Sequence, residues 1–526
     1  MSVRPSVGLW SRLAASLERR QSAVRWGRRD RRRPVAAETL EARAMLSAPS
    51  VFYITATDGA DVSVDGATAG VDKVVVASTA RIGELSITGS DADLRVTIAE
   101  GAVVGNIDYV GSAGRDSLWV RGQVAGEVRM WNDGIAHPVD KDDTFVLASS
   151  GRTGRLNLIL SAGHDRIIVT GRAEVVDDRV PHAVRTQSGD DRVAFVGAEI
   201  VGRLFIEVGF DQDRVAIRDT TVSELLYIAG YHGSDDVRLT RVQAGEVDLT
   251  GYGTRKQEVP STNRYGITDL TVTGDLFILG DDLGRSREEI TFAGRTEVGG
   301  DMRMLLGRGD DKVSFAETVV GGNQELLLGT SETFDSVRFG NDTIGGSSWT
   351  TSWESLRATE TTARLITGEY GVDAGGGDSY RHLSERPTGD ETTMIRLDAG
   401  STAAAAYVSS SLRGRSFVSV TGITAADRIQ IGVDGEQGTT VLVADLTAAG
   451  AIDLAAGRED PALLRIAGRI AGDLQVWMGH GDDELQLRMD SLTPFTIGSV
   501  PWLDGRAGID RITGDTFGAE VRNFEL

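Results

Sequence analysis

Apolar and polar residues alternate over short stretches of this chain. Residues 203–208 (RLFIEV) and 213–217 (DRVAI) carry apolar side chains at every second position, with polar residues between them. Alternation over five or six residues predicts a half-buried β-strand, whereas an amphipathic helix needs apolar spacings of three and four over a longer segment. No clear helical pattern follows residue 46. The pattern therefore predicts an all-β protein.

The predicted strands recur within a repeating unit. The unit reads Gly, polar, apolar, any residue, apolar, and then a Gly-rich turn that ends in Gly-x-Asp-x-(Val/Ile/Leu). In five copies the leading glycine lies eleven residues before the aspartate: Gly105 and Asp116, Gly154 and Asp165, Gly202 and Asp213, Gly300 and Asp311, and Gly472 and Asp483. The residues assigned to this aspartate position are Asp72, Asp116, Asp143, Asp165, Asp191, Asp213, Asp235, Asp311, Asp335, Asp427, Asp483 and Asp510, with Glu288 in one unit. Their single spacings are 22 to 27 residues.

A unit of this length with two or three short strands cannot bury its own apolar face. Stacked copies pair each strand in parallel with its equivalent in the next coil and form one continuous core. The prediction is a parallel β-helix, or β-solenoid, over residues 50–342 and 411–526. The repeat loosens over residues 343–410, which we interpret as an irregular insertion or a junction. Residues 1–49 are predicted to be a basic targeting or disordered segment.

Composition and charge exclude several classes of function. The chain has no cysteine, which excludes disulfides, a thiol nucleophile and thiolate metal sites. Residues 1–46 carry eleven arginines and four acidic residues, so the remaining 480 residues have a net charge of −29. A body this acidic favours cations as partners and disfavours nucleic acid and anionic lipid. No apolar run is long enough for a transmembrane helix, so no transmembrane segment is expected.

The basic N-terminal segment carries a short motif. Arginine interrupts each apolar run there, so the apolar core of an ordinary secretory signal is missing. Residues 40–48 (LEARAMLSA) resemble the LEPR-XLL motif, with Ala42 in place of proline and Met45 in place of leucine. That motif follows an Arg-rich head in large bacterial surface or exported proteins. The resemblance implies a secreted or cell-surface location in a bacterium.

The Gly-rich turns resemble a second family. Residues 111–119 (GSAGRDSLW) resemble the calcium-binding nonapeptide of RTX, or hemolysin-type, repeats, and residues 307–313 and 479–485 resemble its later part. In RTX proteins, tandem nonapeptides form an 18-residue coil with calcium between turns, whereas here the motif occurs once in a longer coil. The resemblance implies Ca²⁺ as a ligand. The candidate metal ligands are Asp116, Asp165, Asp190, Asp191, Asp213, Asp235, Asp310, Asp311, Asp482, Asp483 and Asp510.

The recurring aspartates present an electrostatic problem in any stacked coil. One carboxylate per coil forms a column at ~4.8 Å spacing, where neighbouring charges repel by about 3.5 kcal/mol at an effective dielectric constant of 20. Calcium could relieve this repulsion, as could the basic residue that often follows the aspartate. A third alternative is that each aspartate accepts hydrogen bonds from backbone N–H groups in its turn. The sequence leaves these alternatives open.

Two functions fit a β-solenoid of this kind. The first is a non-catalytic secreted or cell-surface protein with a structural, adhesive or matrix role, whose partners are calcium, the cell envelope or an extracellular polysaccharide. The second is a carbohydrate-active β-helix enzyme, a polysaccharide lyase or glycoside hydrolase. Asp190, Asp191 and His232 superficially resemble polygalacturonase motifs, but Gly-Asp-Asp recurs at Asp310–Asp311 and Asp482–Asp483 as part of the repeat. We therefore predict no catalytic residues and favour the first function.

Overall fold

The computed structural model describes most of the chain beyond residue 50. The described residues are 51–524 without these internal segments: 67–69, 90–91, 112, 133–141, 175–179, 252–260, 281–285, 330–334, 353–355, 361–363, 367–368, 375–391, 398–400, 413–414, 436–437, 458–460, 489–495, 498–500, 507, 515 and 517. The predicted basic segment, including the LEPR-XLL-like residues 40–48, lies outside them.

The described chain is a parallel β-solenoid, which confirms the predicted fold. Its 48 strands belong to one sheet, and each strand pairs in parallel with its equivalent in the adjacent coil. Three ladders of strands result, which we name faces A, B and C in their order along one coil. Face A follows the recurring aspartate, face B is short, and face C leads into the Gly-rich turn.

The strands divide among the faces as follows. Face A contains β1 (Val51–Ile54), β3 (Lys73–Val76), β5 (Leu94–Ile98), β7 (Asp116–Val120), β9 (Thr144–Leu147), β11 (Arg166–Val169), β14 (Arg192–Val196), β17 (Arg214–Arg218), β19 (Asp236–Thr240), β21 (Thr262–Thr268), β24 (Arg287–Ala293), β27 (Lys312–Ser314), β30 (Asp335–Phe339), β33 (Leu356–Glu360), β36 (Thr392–Leu397), β39 (Arg415–Thr421), β44 (Glu484–Arg488) and β47 (Arg511–Gly514). Face B contains β12 (Arg172–Glu174), β15 (Glu199–Val201), β22 (Thr271–Val272), β25 (Arg295–Val298), β28 (Glu317–Val320), β31 (Asn341–Ile344), β34 (Leu365–Ile366), β37 (Thr402–Ala403), β40 (Thr424–Ala425) and β45 (Thr496–Ile497). Face C contains β2 (Val62–Asp65), β13 (His182–Arg185), β16 (Leu204–Phe210), β23 (Leu276–Leu279), β26 (Met302–Leu305), β29 (Gln324–Gly329), β32 (Ser348–Ser352), β35 (Glu369–Ala374), β38 (Ala405–Leu412), β41 (Ile429–Gly435), β46 (Trp502–Asp504) and β48 (Glu520–Arg522).

The remaining strands turn a corner without a break. β4 (Arg81–Thr88), β6 (Val103–Gly111), β8 (Gln123–Asn132), β10 (Arg152–Ile159), β18 (Thr221–His232) and β20 (Gln243–Gly251) run from face B into face C. β42 (Thr439–Ala456) and β43 (Ala462–Met478) contribute to all three faces. The polar–apolar alternation places the apolar half of each strand inside the coil, where it joins a continuous buried core.

Aromatic rings form part of this core ladder. Phe292, Phe315 and Phe339 lie on consecutive coils at the end of face A, with ring centroids 5.2 and 6.3 Å apart and nearly parallel planes. Tyr370 meets Phe339 edge-on at 6.5 Å. Equivalent positions in a parallel solenoid stack directly over one another, so the same type of apolar residue recurs in successive coils.

The coil continues through residues 343–410, where the sequence repeat loosens. Described strands β31 to β38 pair with partners on both sides along all three faces. Residues 375–391 of this segment lie outside the described residues. The interior here is more polar than elsewhere, with Gln324, Ser348, Thr350 and Ser352 buried on face C. This polar lining accounts for the weak apolar pattern of the sequence.

A charged pair lies inside this polar part of the core. The guanidinium of Arg364, which is 1% exposed, lies 3.2 Å from Asp342 Oδ2 and donates hydrogen bonds to Gln324 and Ser348. It also lies over the ring of Phe339, 4.2 Å from the centroid. Burial raises the pKa of Asp342, and the nearby Arg364 opposes that shift. No pattern in the sequence predicts that an arginine faces the interior here.

No helix among the described residues has the length and apolar character needed to cross a membrane.

Candidate functional site

The recurring aspartates form a buried column at the corner between faces C and A. Asp116, Asp165, Asp191, Asp213 and Asp311 are each no more than 2% exposed. Together with Asp143, the first four lie on successive coils, because each residue directly precedes or begins a face A strand in register with its neighbour. Asp311 has the same position in a later coil. Their carboxyl groups therefore point into the solenoid, on the same side as the apolar core. We call this set the inner column.

From Asp143 onward, the carboxyl groups along this column accept hydrogen bonds from the preceding coil. The backbone N–H of Asp116 donates to Asp143 Oδ1 at 2.8 Å, and that of Asp143 donates to Asp165 Oδ1 at 2.8 Å. The N–H groups of Asp165 and Asp191 repeat this contact with Asp191 and Asp213 at 2.8 and 2.9 Å. A buried backbone N–H must find a partner, and at this corner the aspartate side chain is that partner.

Residues other than aspartate also occupy positions along the inner column. The N–H of Asp235 donates to Asn263 Oδ1 at 3.2 Å, and the N–H of Glu288 donates to Asp311 Oδ1 at 2.9 Å. Glu288 is buried in the aspartate position, as its spacing predicted. Asp483 accepts from the N–H of Ala462 at 2.7 Å, so the residue that supplies the N–H need not be acidic.

Two aspartates of the predicted series lie elsewhere. Asp427 follows β40 and precedes β41, at the corner between faces B and C, and its side chain is 75% exposed. Its assignment to the recurring aspartate position was wrong, because spacing alone does not distinguish one corner of a coil from another. Asp72 is in register with the column but is exposed rather than buried.

Burial changes the ionisation of the inner column. It is the main cause that raises the pKa of Asp191 to about 6, of Asp235 to about 7 and of Asp213 to about 8. Burial and then the carboxyl of Glu288 also raise the pKa of Asp311. Within the described residues, Asp213 Oδ2 is buried without a hydrogen-bond partner. At mildly acidic pH, Asp213 and Asp235 therefore hold neutral carboxyl groups, which reduces the repulsion that ionised groups would cause.

The residue before each inner acid forms a second, exposed series, which we call the outer column. Asp142 Oδ1 accepts from the N–H of His164 at 3.0 Å, His164 Nδ1 accepts from the N–H of Asp190 at 2.9 Å, and Asp190 Oδ1 accepts from the N–H of Gln212 at 3.1 Å. Asp482 Oδ1 accepts from the N–H of Ile509 at 3.0 Å. In the doubled acids Asp190–Asp191 and Asp482–Asp483, the first residue thus bonds the next coil and the second bonds the previous coil.

A third series holds the corner between faces B and C. Asp275 Oδ1 accepts from the N–H of Asp301, Asp301 Oδ1 from that of Asn323, and Asn323 Oδ1 from that of Ser347, at 2.8, 2.8 and 2.9 Å. These residues are the polar positions that follow the leading glycine of the repeat. The repeat includes these residues, but its pattern predicts a functional role only for the aspartates of the turn.

At two of these corners the same contact explains the leading glycine. A Cβ atom on Gly322 would lie 2.3 Å from Asp301 Oδ1, and one on Gly300 would lie 2.1 Å from Asp275 Oδ1. Glycine is therefore required where the carboxylate of the previous coil crosses the backbone.

The predicted calcium ligands divide between these columns. Asp190, Asp310 and Asp482 are outer residues, and the others are inner residues that face the core. Asp190 has His164 and Gln212, not acids, as its neighbours in the adjacent coils. In the described part of the chain, no group of three or more His, Cys, Asp or Glu side chains is arranged to hold a metal ion. Calcium binding at these residues stays a prediction.

The basic residues that follow the inner aspartates do not neutralise them. Arg166, Arg192 and Arg214 are exposed at the starts of β11, β14 and β17, whereas the aspartates before them point inward. Successive side chains of a strand lie on opposite faces of the sheet. The sheet therefore separates the arginine side chains from the aspartate carboxyl groups.

The residues that resembled an enzyme motif have structural contacts. Asp190 accepts the N–H of Gln212 and Asp191 accepts that of Asp165, and His232 stacks on Phe210 with ring centroids 5.0 Å apart. Asp190 and His232 lie two coils apart, as their spacing predicted. No family model, curated protein or solved structure matches this chain. The resemblances to LEPR-XLL proteins and RTX repeats therefore remain predictions from the residues alone.

Proposed function

We propose that this chain is a non-catalytic secreted or cell-surface β-solenoid with a structural or adhesive role in the bacterial envelope or matrix. One observation carries the proposal: the acids of the repeat, including the pair that resembles a polygalacturonase motif, are hydrogen-bonded to the backbone of adjacent coils. The same arrangement recurs in coils far apart in sequence, as expected of a scaffold.

The chemistry of the column supports this reading. A glycoside hydrolase needs two carboxyl groups placed on either side of a bond in the substrate. The inner acids face the core, where a polysaccharide has no access. To take part in catalysis, each would also have to give up its hydrogen bond to the backbone. The LEPR-XLL resemblance adds support for export, since that motif is typical of bacterial surface proteins.

The test of the catalytic part is direct. The purified full-length protein is incubated with a panel of neutral and acidic polysaccharides, and the release of new reducing ends or unsaturated uronates is measured. We expect no release above that of a heat-denatured control. Cleavage that increases with protein concentration would replace this proposal with the carbohydrate-active enzyme.

The location has a separate test. The native bacterium is fractionated, and the protein is followed with an antibody in the medium, the cell surface and the cytosol. We expect it in the medium or at the surface, where a protease added to intact cells degrades it. A protein found only inside protease-resistant cells would contradict the proposed location.

Calcium dependence distinguishes the ion-bridged alternative from the hydrogen-bonded one. The backbone contacts of the outer and inner columns favour the metal-free alternative, so we predict the same Tm, followed by circular dichroism, in calcium and in chelator. A ligand that binds only the folded state raises stability in proportion to RT ln(1 + [L]/Kd). A Tm that rises with calcium concentration would therefore establish the calcium site that the RTX resemblance implies.

A further inference from the structure

Three exposed arginines form a column on the outside of face A. Arg166 pairs in register with Arg192, and Arg192 with Arg214, at the starts of three consecutive face A strands. All three side chains are exposed. The coil spacing of ~4.8 Å brings their Cα atoms into one short row, which we call the arginine strip.

The guanidinium groups of the strip differ from those around them because they form no direct ion pair with a described residue. Other arginines of these coils pair with carboxylates: Arg172 with Glu199, Arg203 with Glu224, and Arg241 with Asp219. Within the described residues, the guanidinium groups of the strip have no ion-pair or hydrogen-bond partner. The next residue in the same row, Asp236, is held by both nitrogens of Arg238 at 2.7 and 3.0 Å. Three like charges in register are unfavourable unless an anion joins them.

A surface cleft lies at two arginines of the strip. Arg166 and Arg192 line a surface cleft of about 400 Å³ together with His164, Asp165 and Asp190. His164 Nδ1 accepts the N–H of Asp190, so Nε2 carries the proton of the neutral ring and is a donor. The cleft thus combines two forked cationic donors and an imidazole donor with the exposed carboxylate of Asp190. Phe210, at the end of β16 in the coil of Arg214, is 51% exposed and stacks on His232.

We propose that the arginine strip binds an acidic polysaccharide along the direction in which the coils stack, with one carboxylate or sulfate at each guanidinium. This inference rests on the proposed surface function and names its partner class. Arginine is suited to the site because its planar fork donates two parallel hydrogen bonds to a carboxylate. Phe210, four residues before Arg214 in the same coil, provides an exposed apolar ring that a sugar could contact.

Charge density favours a polysaccharide over nucleic acid. Duplex DNA carries one charge per ~1.7 Å of its axis, which is about three times denser than one guanidinium per ~4.8 Å coil. The additional phosphates would lie against a chain whose residues beyond 46 have a net charge of −29. A polymer with one anionic group per sugar matches the strip more closely and brings fewer unpaired charges to an acidic surface.

The experiment is a calorimetric titration of the full-length protein with polygalacturonate at low salt. Its methyl-esterified form is the uncharged control, and a single-stranded oligonucleotide tests the other polymer class. The test variant is Arg166→Gln/Arg192→Gln/Arg214→Gln. The matched variant, Arg121→Gln/Arg338→Gln/Arg415→Gln, removes three exposed arginines that are scattered over other coils. Circular dichroism verifies that both variants fold, and Arg192→Lys tests the fork while it keeps the charge.

We expect polygalacturonate to bind, its esterified form not to bind, and the strip variant to bind about tenfold more weakly. The scattered variant should bind like the unmodified protein, and Arg192→Lys should bind with intermediate affinity. Equal losses in both triple variants, or tighter binding of the oligonucleotide, would overturn the inference. The length of the polymer after titration separates the two proposals: a shortened polymer contradicts the non-catalytic function, whereas an intact polymer that does not bind contradicts only the arginine strip.

Discussion

Asp213 illustrates what one residue of the inner column does. Its Oδ1 accepts the N–H of Asp191 at 2.9 Å, and its buried environment raises its pKa to about 8. An unfolded aspartate has a pKa of about 3.9. Because the folded state binds this proton more tightly, its contribution to stability is present at low pH and is lost as the pH rises from about 4 to about 8.

Asp213→Asn should therefore stabilise the protein at pH 8 and have little effect near pH 4. Asparagine keeps the acceptor oxygen but cannot ionise, and Asn263 already occupies this position two coils later. For an isolated group, each pH unit between the folded and unfolded pKa values is worth about 1.4 kcal/mol. The check is the urea midpoint of both proteins at several pH values.

Asp213→Leu is the matched control for the hydrogen bond. It removes the ionisable group as well, but leaves the N–H of Asp191 without its acceptor, so we expect a loss of about 1–3 kcal/mol near pH 4. If the Asn and Leu variants have the same midpoint, the hydrogen bond contributes nothing.

Arg364 provides a second prediction at this scale. Arg364→Met leaves Asp342 buried without its cation, so we expect the free energy of unfolding to fall by about 3–5 kcal/mol. Arg364→Met/Asp342→Asn removes both charges and should recover part of that loss. Urea denaturation measures both variants. A double variant that is no more stable than the single one would show that the ion pair is not what holds Asp342 in the core.

At the scale of the element, the close approach of adjacent coils at a corner limits which residues can precede a strand. Gly322 lies where Asp301 of the previous coil accepts the N–H of Asn323. Gly322→Ala places a methyl group 2.3 Å from Asp301 Oδ1, and we expect it to cost about 1–3 kcal/mol. Gly432→Ala is the control, because a Cβ atom there meets nothing within 4 Å. Thermal melting compares them, and an equal Tm for both variants would contradict the close approach.

The sequence predicted the strands and the stacked coil because both depend on periodicity. Alternation of apolar residues identifies a strand wherever it occurs, and a spacing of 22 to 27 residues between turns requires stacking. The same periodicity does not tell one corner from another, which is why Asp427 was misassigned. It also does not tell inward from outward acids: Asp190 and Asp191 look equivalent in sequence, although their carboxyl groups bond the next coil and the previous coil. Arg364 follows no period and could not be predicted.

At the scale of the whole molecule, the same local hydrogen bond recurs at the corners of successive coils. Parallel stacking repeats each contact in the next unit. Buried acids that would be unfavourable alone therefore form columns in which carboxyl groups accept backbone N–H groups of adjacent coils. The body has a net charge of −29 beyond residue 46, but its buried aspartates contribute less negative charge than the sequence count implies. Exposed arginines such as Arg192 then stand out as the local exceptions to an acidic surface.

The central claim is that the inner column consists of buried carboxyl groups that accept backbone hydrogen bonds, and that those of Asp213 and Asp235 are protonated at pH 6. Infrared spectroscopy at pH 6 tests it most directly, because protonated and ionised carboxyl groups absorb at different frequencies. The account predicts a protonated carboxyl band in the folded protein that disappears on denaturation and weakens in Asp213→Asn. A folded protein whose carboxyl groups are all ionised at pH 6 would contradict it.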